Sequence, residues 1–410
     1  MIYYVDNISG ASENDGLTPE TAVTSYKEIN ITPGDTILFR RGCVFCEQLK
    51  TVSGLAYKPT IYGAYGKGHK PIFSFAFMLD NETLWQQHEK NIWQYTGEIP
   101  SEVGNIFFSG GFGMLRWDYN ELKTQGDWYY THIGYTNKPQ TYTKEAADAP
   151  RALYIYSENN PAVFYNDLKA SLISEKYLTF AECNVVFENL HFECSAINGF
   201  EGYNGSNVTF KNCDYRYIGG AVWDRNLKIR FGNAIEFWCY CENVIIENCT
   251  FDEIYDSCVT TQGKGEYDAP KNIKIINNHF SNYGMAAYEL RDKITYNTYF
   301  SGNVCKNAGE GICVDYEKGP RRSEIFPQPM GHHIFVWRID APTENGFVKI
   351  SNNVFGKATV GSAIYSIINP EAEKQLLIKN NVFEFDNSKL IKLDNRYYSL
   401  KEFKEKRRLV

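Results

Sequence analysis

The sequence predicts an all-β solenoid in which coils of about three short strands stack by parallel pairing. Three observations predict it. Seven segments share one alternating pattern: residues 184–192, 207–215, 243–251, 272–280, 297–305, 347–355 and 375–383. Their starts lie 23, 36, 29, 25, 50 and 28 residues apart. Most of them reach an asparagine and then a closing aromatic or apolar residue, as in Asn243-Val-Ile-Ile-Glu-Asn-Cys-Thr-Phe251. Alternation with period two marks a strand with one face buried. A repeat of 23–29 residues is too long for a hairpin array and too rich in strand for a helical solenoid, so it fits a coil of strands. Asparagines stacked inside a turn can form a ladder of amides that satisfies orphaned backbone groups. The gaps of 36 and 50 imply loop insertions, one near residues 223–230 and the other near 318–342.

The elements follow in chain order. Residues 1–72 start the solenoid. Tyr3-Tyr4-Val5-Asp6, Pro33-Gly34-Asp35-Thr36-Ile37-Leu38-Phe39 and Pro59-Thr60-Ile61-Tyr62-Gly63 are similar to the opening segments of the pectate-lyase-like superfamily. The resemblance extends over about residues 1–72 and 170–390. It implies a right-handed parallel β-helix and a carbohydrate-active protein, with motifs more specific for the fold than for the reaction. Residues 73–170 break the rhythm. Trp85, Trp93, Trp117 and Trp128 cluster there among further alternating stretches. They predict an inserted β-rich region whose aromatics wall one end of a groove. Residues 171–390 form the main β-helix. Residues 391–410 form a cap, with a short charged helix over 399–408 that covers the last coil and its sheet edge.

Composition narrows the function. Among 410 residues, 42 Lys and Arg against 49 Asp and Glu leave a net charge of −7. A nucleic-acid binder needs a basic face, and no basic run appears before residues 404–408. No apolar run approaches the ~20 residues of a membrane span. The N-terminus lacks the charged and apolar segments of a signal peptide, which fits a cytoplasmic protein or a secreted one whose leader has been removed. Aromatics make up 15% of the chain, chiefly Tyr and Phe, which suits stacked strands and sugar-binding surfaces alike. Eleven cysteines scattered through strands read as buried apolar fillers rather than a disulfide framework. Cys43 and Cys46 have the spacing of half a zinc site, but no second pair follows, so no metal is predicted.

In stacked coils, neighbouring strands lie ~4.8 Å apart, so polar residues at matching places in successive coils make a site. Four segments supply them: residues 230–238, 254–263, 286–292 and 311–317. Aligning coils on Phe251 and Phe280 puts Glu289 opposite Thr260, and counting from Cys305 puts Asp315 within one residue of that column. Glu236 precedes the next repeat by about the length expected for the same sheet. Asp256 falls at the turn into its strand. Carboxylates among Ala, Ile, Phe, Trp and Cys must face a cleft or pair with Arg230 or Arg291.

Glycoside cleavage needs one carboxylic acid to protonate the leaving oxygen and one carboxylate as base or nucleophile, and crowding of like charges raises one pKa. The candidates are Glu289 as general acid, with Asp256 and Glu236 activating water. These segments also resemble motifs of bacterial β-helix proteins of polysaccharide processing. Trp238, Gln262, Tyr288, Arg230, Arg291, Asp315, His332, His333 and Trp337 are the predicted substrate contacts, with the histidine pair on a lid. The groove is expected over residues 230–340, with a poly- or oligosaccharide as partner and no cofactor required. A uronate lyase or epimerase is the rival. It would draw on Arg225, Arg230, Arg291, Arg321, Arg322 and the histidines, and on Ca²⁺. A non-catalytic glycan-binding or tail-adhesin β-helix is the third reading. A nucleophile elbow and a phosphate loop are both missing.

Overall fold

The computed structural model describes residues 1–131, 151–173, 177–225, 227–263, 265, 267–314, 331–359 and 361–408. The chain is a right-handed parallel β-helix with three faces. The first face runs through the start of Ile235–Glu247, then Ser257–Gln262, Ala286–Arg291, His332–Trp337 and Ile364–Ile367. The second runs from Ile2–Val5 and Thr36–Arg40 to Leu376–Lys379. These two are joined into one 17-stranded sheet by Asn198–Lys211 and Ile235–Glu247, which pass around the corner between them. The third face is a nine-stranded sheet from Val44–Phe45 to Val382–Phe383.

The repeat pattern explains the coil. Each repeated segment is one strand of the second face, a turn, and the opening of one strand of the third. The residue before the turn is an asparagine in the left-handed region, as at Asn189, Asn212, Asn248 and Asn277 (φ 51–59°). Its short polar side chain tolerates that conformation better than most residues other than glycine. The next position holds the buried ladder. Asn278 N–H donates to Asn303 Oδ1 (2.9 Å), Asn303 N–H to Asn353 Oδ1 (2.9 Å), and Asn353 N–H to Asn381 Oδ1 (3.0 Å). Their Nδ2 groups donate to the carbonyls of Ile246, Ile275, Phe300 and Ile350, so the turn leaves these buried groups satisfied. The closing aromatics stack inside the coil: Phe73, Phe192, Tyr215, Phe251 and Phe280 follow with centroids 4.8–5.9 Å apart. Nine of the eleven cysteines are buried, and all are free.

Insertions share one corner. Residues 76–172 leave between the third face and the first, and form a four-stranded and a five-stranded sheet around their own core. The hairpin of Ala221–Asp224 and Ile229–Phe231 leaves at the same corner two coils later. Residues 309–314 follow the third face at that corner as well. The inserted sheets and the hairpin therefore both flank the first face. The C-terminal helix Leu400–Arg408 turns Phe403 and Leu400 onto the end of the core, covering the last coil.

Three expectations need correction. Within the insertion expected near 318–342, His332–Trp337 is instead a regular strand of the first face, paired with Ala286–Arg291. Residues 311–313 form a single 3-10 turn and not a fourth coil strand. Trp85, Trp117 and Trp128 fill the core of the inserted sheets, and so do not wall a groove.

Candidate active site

Register along the first face aligns one outward row. Glu201 lies opposite Glu236, Glu236 opposite Thr260, Thr260 opposite Glu289, Glu289 opposite Phe335, and Phe335 opposite Tyr365. The flanking positions Ile235, Phe237, Val259 and Leu290 point inward into the core, which fixes the row on the outer surface. With ~4.8 Å between strands, the Cα atoms of Glu236 and Glu289 stand about 9.6 Å apart, with Thr260 midway. A second row lies two residues further along each strand. There Gln262 pairs with Arg291 and Arg291 with Trp337, beside Trp238.

Glu236 is 6% exposed and held by three amides. Asn198 Nδ2 (2.9 Å) and Asn233 Nδ2 (3.0 Å) donate to its Oε2, and Gln262 Nε2 (3.0 Å) donates to Oε1. Each amide is oriented by a second contact. Asn198 Oδ1 accepts from Asn233 N–H, Asn233 Oδ1 accepts from Ser257 N–H, and Gln262 Oε1 accepts from Arg291 Nη2. Asn198 Nδ2 also donates to Glu201 (3.2 Å). Burial first, then the charge of Glu201, push the Glu236 carboxyl above the usual glutamate range, against the lowering effect of Asn233 and Arg291.

Glu289 is 2% exposed and differently held. Trp337 Nε1 donates to its Oε1 (2.7 Å), and Ser257 Oγ donates to its Oε2 (2.9 Å). Arg291 Nη1 approaches Oε1 at 3.9 Å. The Arg291 guanidinium lies 5.6 Å from the ring centre of Trp238 and 5.7 Å from that of Trp337. It is also 3.7 Å from Asp292. The cation of the floor is thus engaged by carboxylates and Gln262, and is fixed between two indoles. Between the two acids, Thr260 is fully buried, and its Oγ1 makes no hydrogen bond.

Glu236, Glu289, Trp238, Gln262, Arg291 and Trp337 therefore come together. Asp256 is buried (3% exposed) at the corner before Ser257, beside the row rather than in it. Four other predicted residues do other work. Tyr288 points into the core, stacked on Phe300 (5.9 Å) with its hydroxyl 2.8 Å from Thr261 Oγ1. His333 is enclosed by Phe355, Tyr283 and the carbonyl of Gly356, and burial lowers its pKa to about 4. His332 is buried against Tyr365 (4.3 Å), with its Nδ1 accepting from Ser362 N–H. Both histidines belong to a coil strand and not to a lid. Arg230 is buried under the hairpin and donates to the carbonyls of Gly220 (2.7 Å) and Gly104 (2.9 Å) and to Asn105. It clasps the inserted sheets to the solenoid. Asp315, like Arg321 and Arg322, lies outside the described residues, and the place given to it in the column belongs to Phe335.

Sequence reasoning missed Glu201, Asn198, Asn233 and Ser257. A signal was present: Asn198-Gly-Phe-Glu201 and Asn233-Ala-Ile-Glu236 repeat an Asn-x-x-Glu spacing in successive coils. Among the described residues, no group of three or more His, Cys, Asp or Glu is placed to hold a metal ion, and no helix is long and apolar enough to cross a membrane.

No family model matches the chain, and no curated protein matches it in sequence. Solved structures do match. One is the complex of XylC with xylose, 12% identical, with a TM-score of 0.52 over 97% of this chain and 73% of that one. Another is described as a glycoside hydrolase, 9% identical, with a TM-score of 0.51 over 93% of this chain and 95% of that one. At this identity the likeness concerns the fold, which is the one the register above establishes.

Proposed function

We propose that this protein is a carbohydrate-active enzyme, a glycoside hydrolase that cleaves a poly- or oligosaccharide with inversion. The observation that carries the reading is the row Glu236–Thr260–Glu289: two buried carboxyls on one outer face, with a small residue between them and indoles beside them. The Cα atoms of the two acids stand two strand steps apart, about 9.6 Å, which favours the wider carboxyl spacing of inverting enzymes (~6.5–9.5 Å) over the ~5 Å of retaining ones. The raised pKa of Glu236 supports that residue as the proton donor, the reverse of the roles expected from sequence. Glu289, oriented by Trp337 and Ser257, takes the part of base. Its carboxylate accepts a proton from water as the water oxygen bonds to the anomeric carbon. The bond from that carbon to the glycosidic oxygen breaks, and the leaving oxygen takes the proton of Glu236.

The sugar named in the XylC complex and the hydrolase description agree with this class without supplying a substrate. Elimination draws on a base and a cation free to neutralise a uronate. On the floor, Arg291 is already engaged by Gln262, Glu289 and Asp292, and the two histidines are enclosed. A panel of neutral and acidic oligo- and polysaccharides, read for new reducing ends and for unsaturated uronate products, tests the proposal. Reducing ends without unsaturation, lost in Glu236→Gln and in Glu289→Gln, are expected. Unsaturated products, or full activity in both variants, would end it.

A further inference from the structure

The second row of the first face continues past Trp238, and there it opens to solvent. Tyr203, on the preceding coil, lies in register opposite Trp238. The inward Phe200 and Phe237 of the same two strands are fully buried, whereas Tyr203 is 55% exposed. Its hydroxyl lies beside the hydroxyl of Tyr267 and the thiol of Cys239. Tyr267 is itself 42% exposed and follows Gln262, on the coil after that of Trp238. Two tyrosines from the coils on either side of Trp238 therefore meet at Cys239. Single exposed aromatics are ordinary, but these two adjoin each other, an indole and the acid-bearing row. The opposite end of that row is shut. Phe335, opposite Glu289, is fully buried, and Tyr365 beyond it is buried too. A chain that reaches the acids thus leaves them toward Trp238 and Tyr203.

We propose that Trp238, Tyr203 and Tyr267 form a binding platform for the sugar units of a neutral glycan chain as it leaves the acid row. This deepens the proposed function and rests on its carbohydrate-active part. A sugar ring has an apolar C–H face and a hydroxyl edge, and tyrosine offers a ring face and a hydroxyl to match. Tyrosine is also ordered at low entropic cost. The strand step of ~4.8 Å is close to the length of one sugar unit, so successive rings match successive coils. The neighbouring row carries Glu201, Glu236 and Glu289, whose carboxyls disfavour an anionic chain. The platform binds and orients the chain and moves no proton.

The test is affinity electrophoresis of the full chain through gels that each hold one polysaccharide: xylan, mannan, galactan or β-glucan, with polygalacturonate as the acidic control. At least one neutral polymer is expected to retard the wild type. Tyr203→Ala combined with Tyr267→Ala is expected to raise the Kd for that polymer roughly tenfold. Tyr203→Phe, which keeps the ring face, should raise it by less than about threefold. Both tyrosines are largely exposed, so the double variant should melt with the wild type. On oligosaccharides of the retarding polymer, the double variant should also lose the wild-type gain in kcat/KM with chain length, chiefly through KM. Retardation by polygalacturonate alone, by no polymer, or equally in wild type and double variant would overturn the inference. If the double variant loses retardation while neither protein releases sugar, the platform stands and the hydrolase reading fails. If sugar release depends on Glu236 and Glu289 but the double variant keeps the wild-type length dependence, the inference fails alone.

Discussion

Two stacks of polar side chains run through this solenoid, and they are built on opposite terms. The asparagine ladder at Asn278, Asn303, Asn353 and Asn381 repeats one residue, and each side-chain amide has partners in a neighbouring coil. The outer row of the first face repeats nothing: Glu201, Glu236, Thr260, Glu289, Phe335 and Tyr365 follow one another. It holds a carboxyl pushed toward its neutral form and a hydroxyl without a hydrogen bond. Uniform stacking is how the fold is held, and departure from it is where buried polar groups are kept at a cost in stability. That cost is the mark of chemistry rather than architecture.

The largest effect should come from the irregular row. Glu236→Gln and Glu289→Gln are expected to lower kcat about 10²–10⁴-fold. Because burial raises the pKa of Glu236, its neutral form stabilises the fold fully below the unfolded value and less as pH rises. Glu236→Gln should therefore melt higher than the wild type at neutral pH and alike at pH 4. Asp256→Asn, beside the row, should cost less activity than either, as kcat on the same substrate will show.

The ladder should give the converse. Asn303→Ala removes the acceptor of Asn278 N–H and the donor to Ile275 O, and leaves both buried. Denaturant unfolding should show a loss of about 2–5 kcal/mol, with kcat at 25 °C unchanged.

A third prediction concerns a place where a carboxyl interrupts an asparagine stack. On the third face, Glu253 occupies the position held by Asn282 and Asn307 in the next coils. Its Oε2 accepts from Ile312 N–H (2.9 Å). Burial, and next Asp252, push its carboxyl up to about 7. A raised pKa contributes stability that is complete below the unfolded value near 4.5 and is lost as pH rises through about 7. Glu253→Gln keeps the acceptor for Ile312 and removes the ionisation. By pH 8 it should be more stable than the wild type by up to about 3 kcal/mol, and at pH 4 it should be indistinguishable from it. Equal pH profiles of melting would refute this.

The smallest effect is expected at Trp337→Phe. The ring that stacks on Phe335 (5.4 Å) is kept and the donor to Glu289 is lost. A fall in kcat of about tenfold with little change in melting temperature is expected from one charge-assisted hydrogen bond.

The same contrast explains what the sequence disclosed. Repetition is legible, so the coil, the asparagine ladder, the closing aromatic stack and the opposition of Glu289 to Thr260 all follow from aligning segments such as 243–251 and 272–280. Insertions break the count. Measured from Cys305, Asp315 falls near the column, but segment 309–331 intervenes, and Phe335 takes the place. Inward and outward positions are also separated by a single residue, so Tyr288 and Glu289 read alike in the sequence and face opposite ways. The amides around Glu236 come from three different coils, and only the register brings Asn198, Asn233 and Gln262 to one carboxyl.

The central claim is that Glu236 and Glu289, two strand steps apart, act as acid and base across one glycosidic bond. A proton NMR time course of oligosaccharide cleavage, read at the anomeric signal before mutarotation, tests it most directly. The first-formed product is expected to carry the inverted anomer. A retained anomer would contradict it and would transfer the chemistry to the closer pair, Glu201 and Glu236, which stand one step apart.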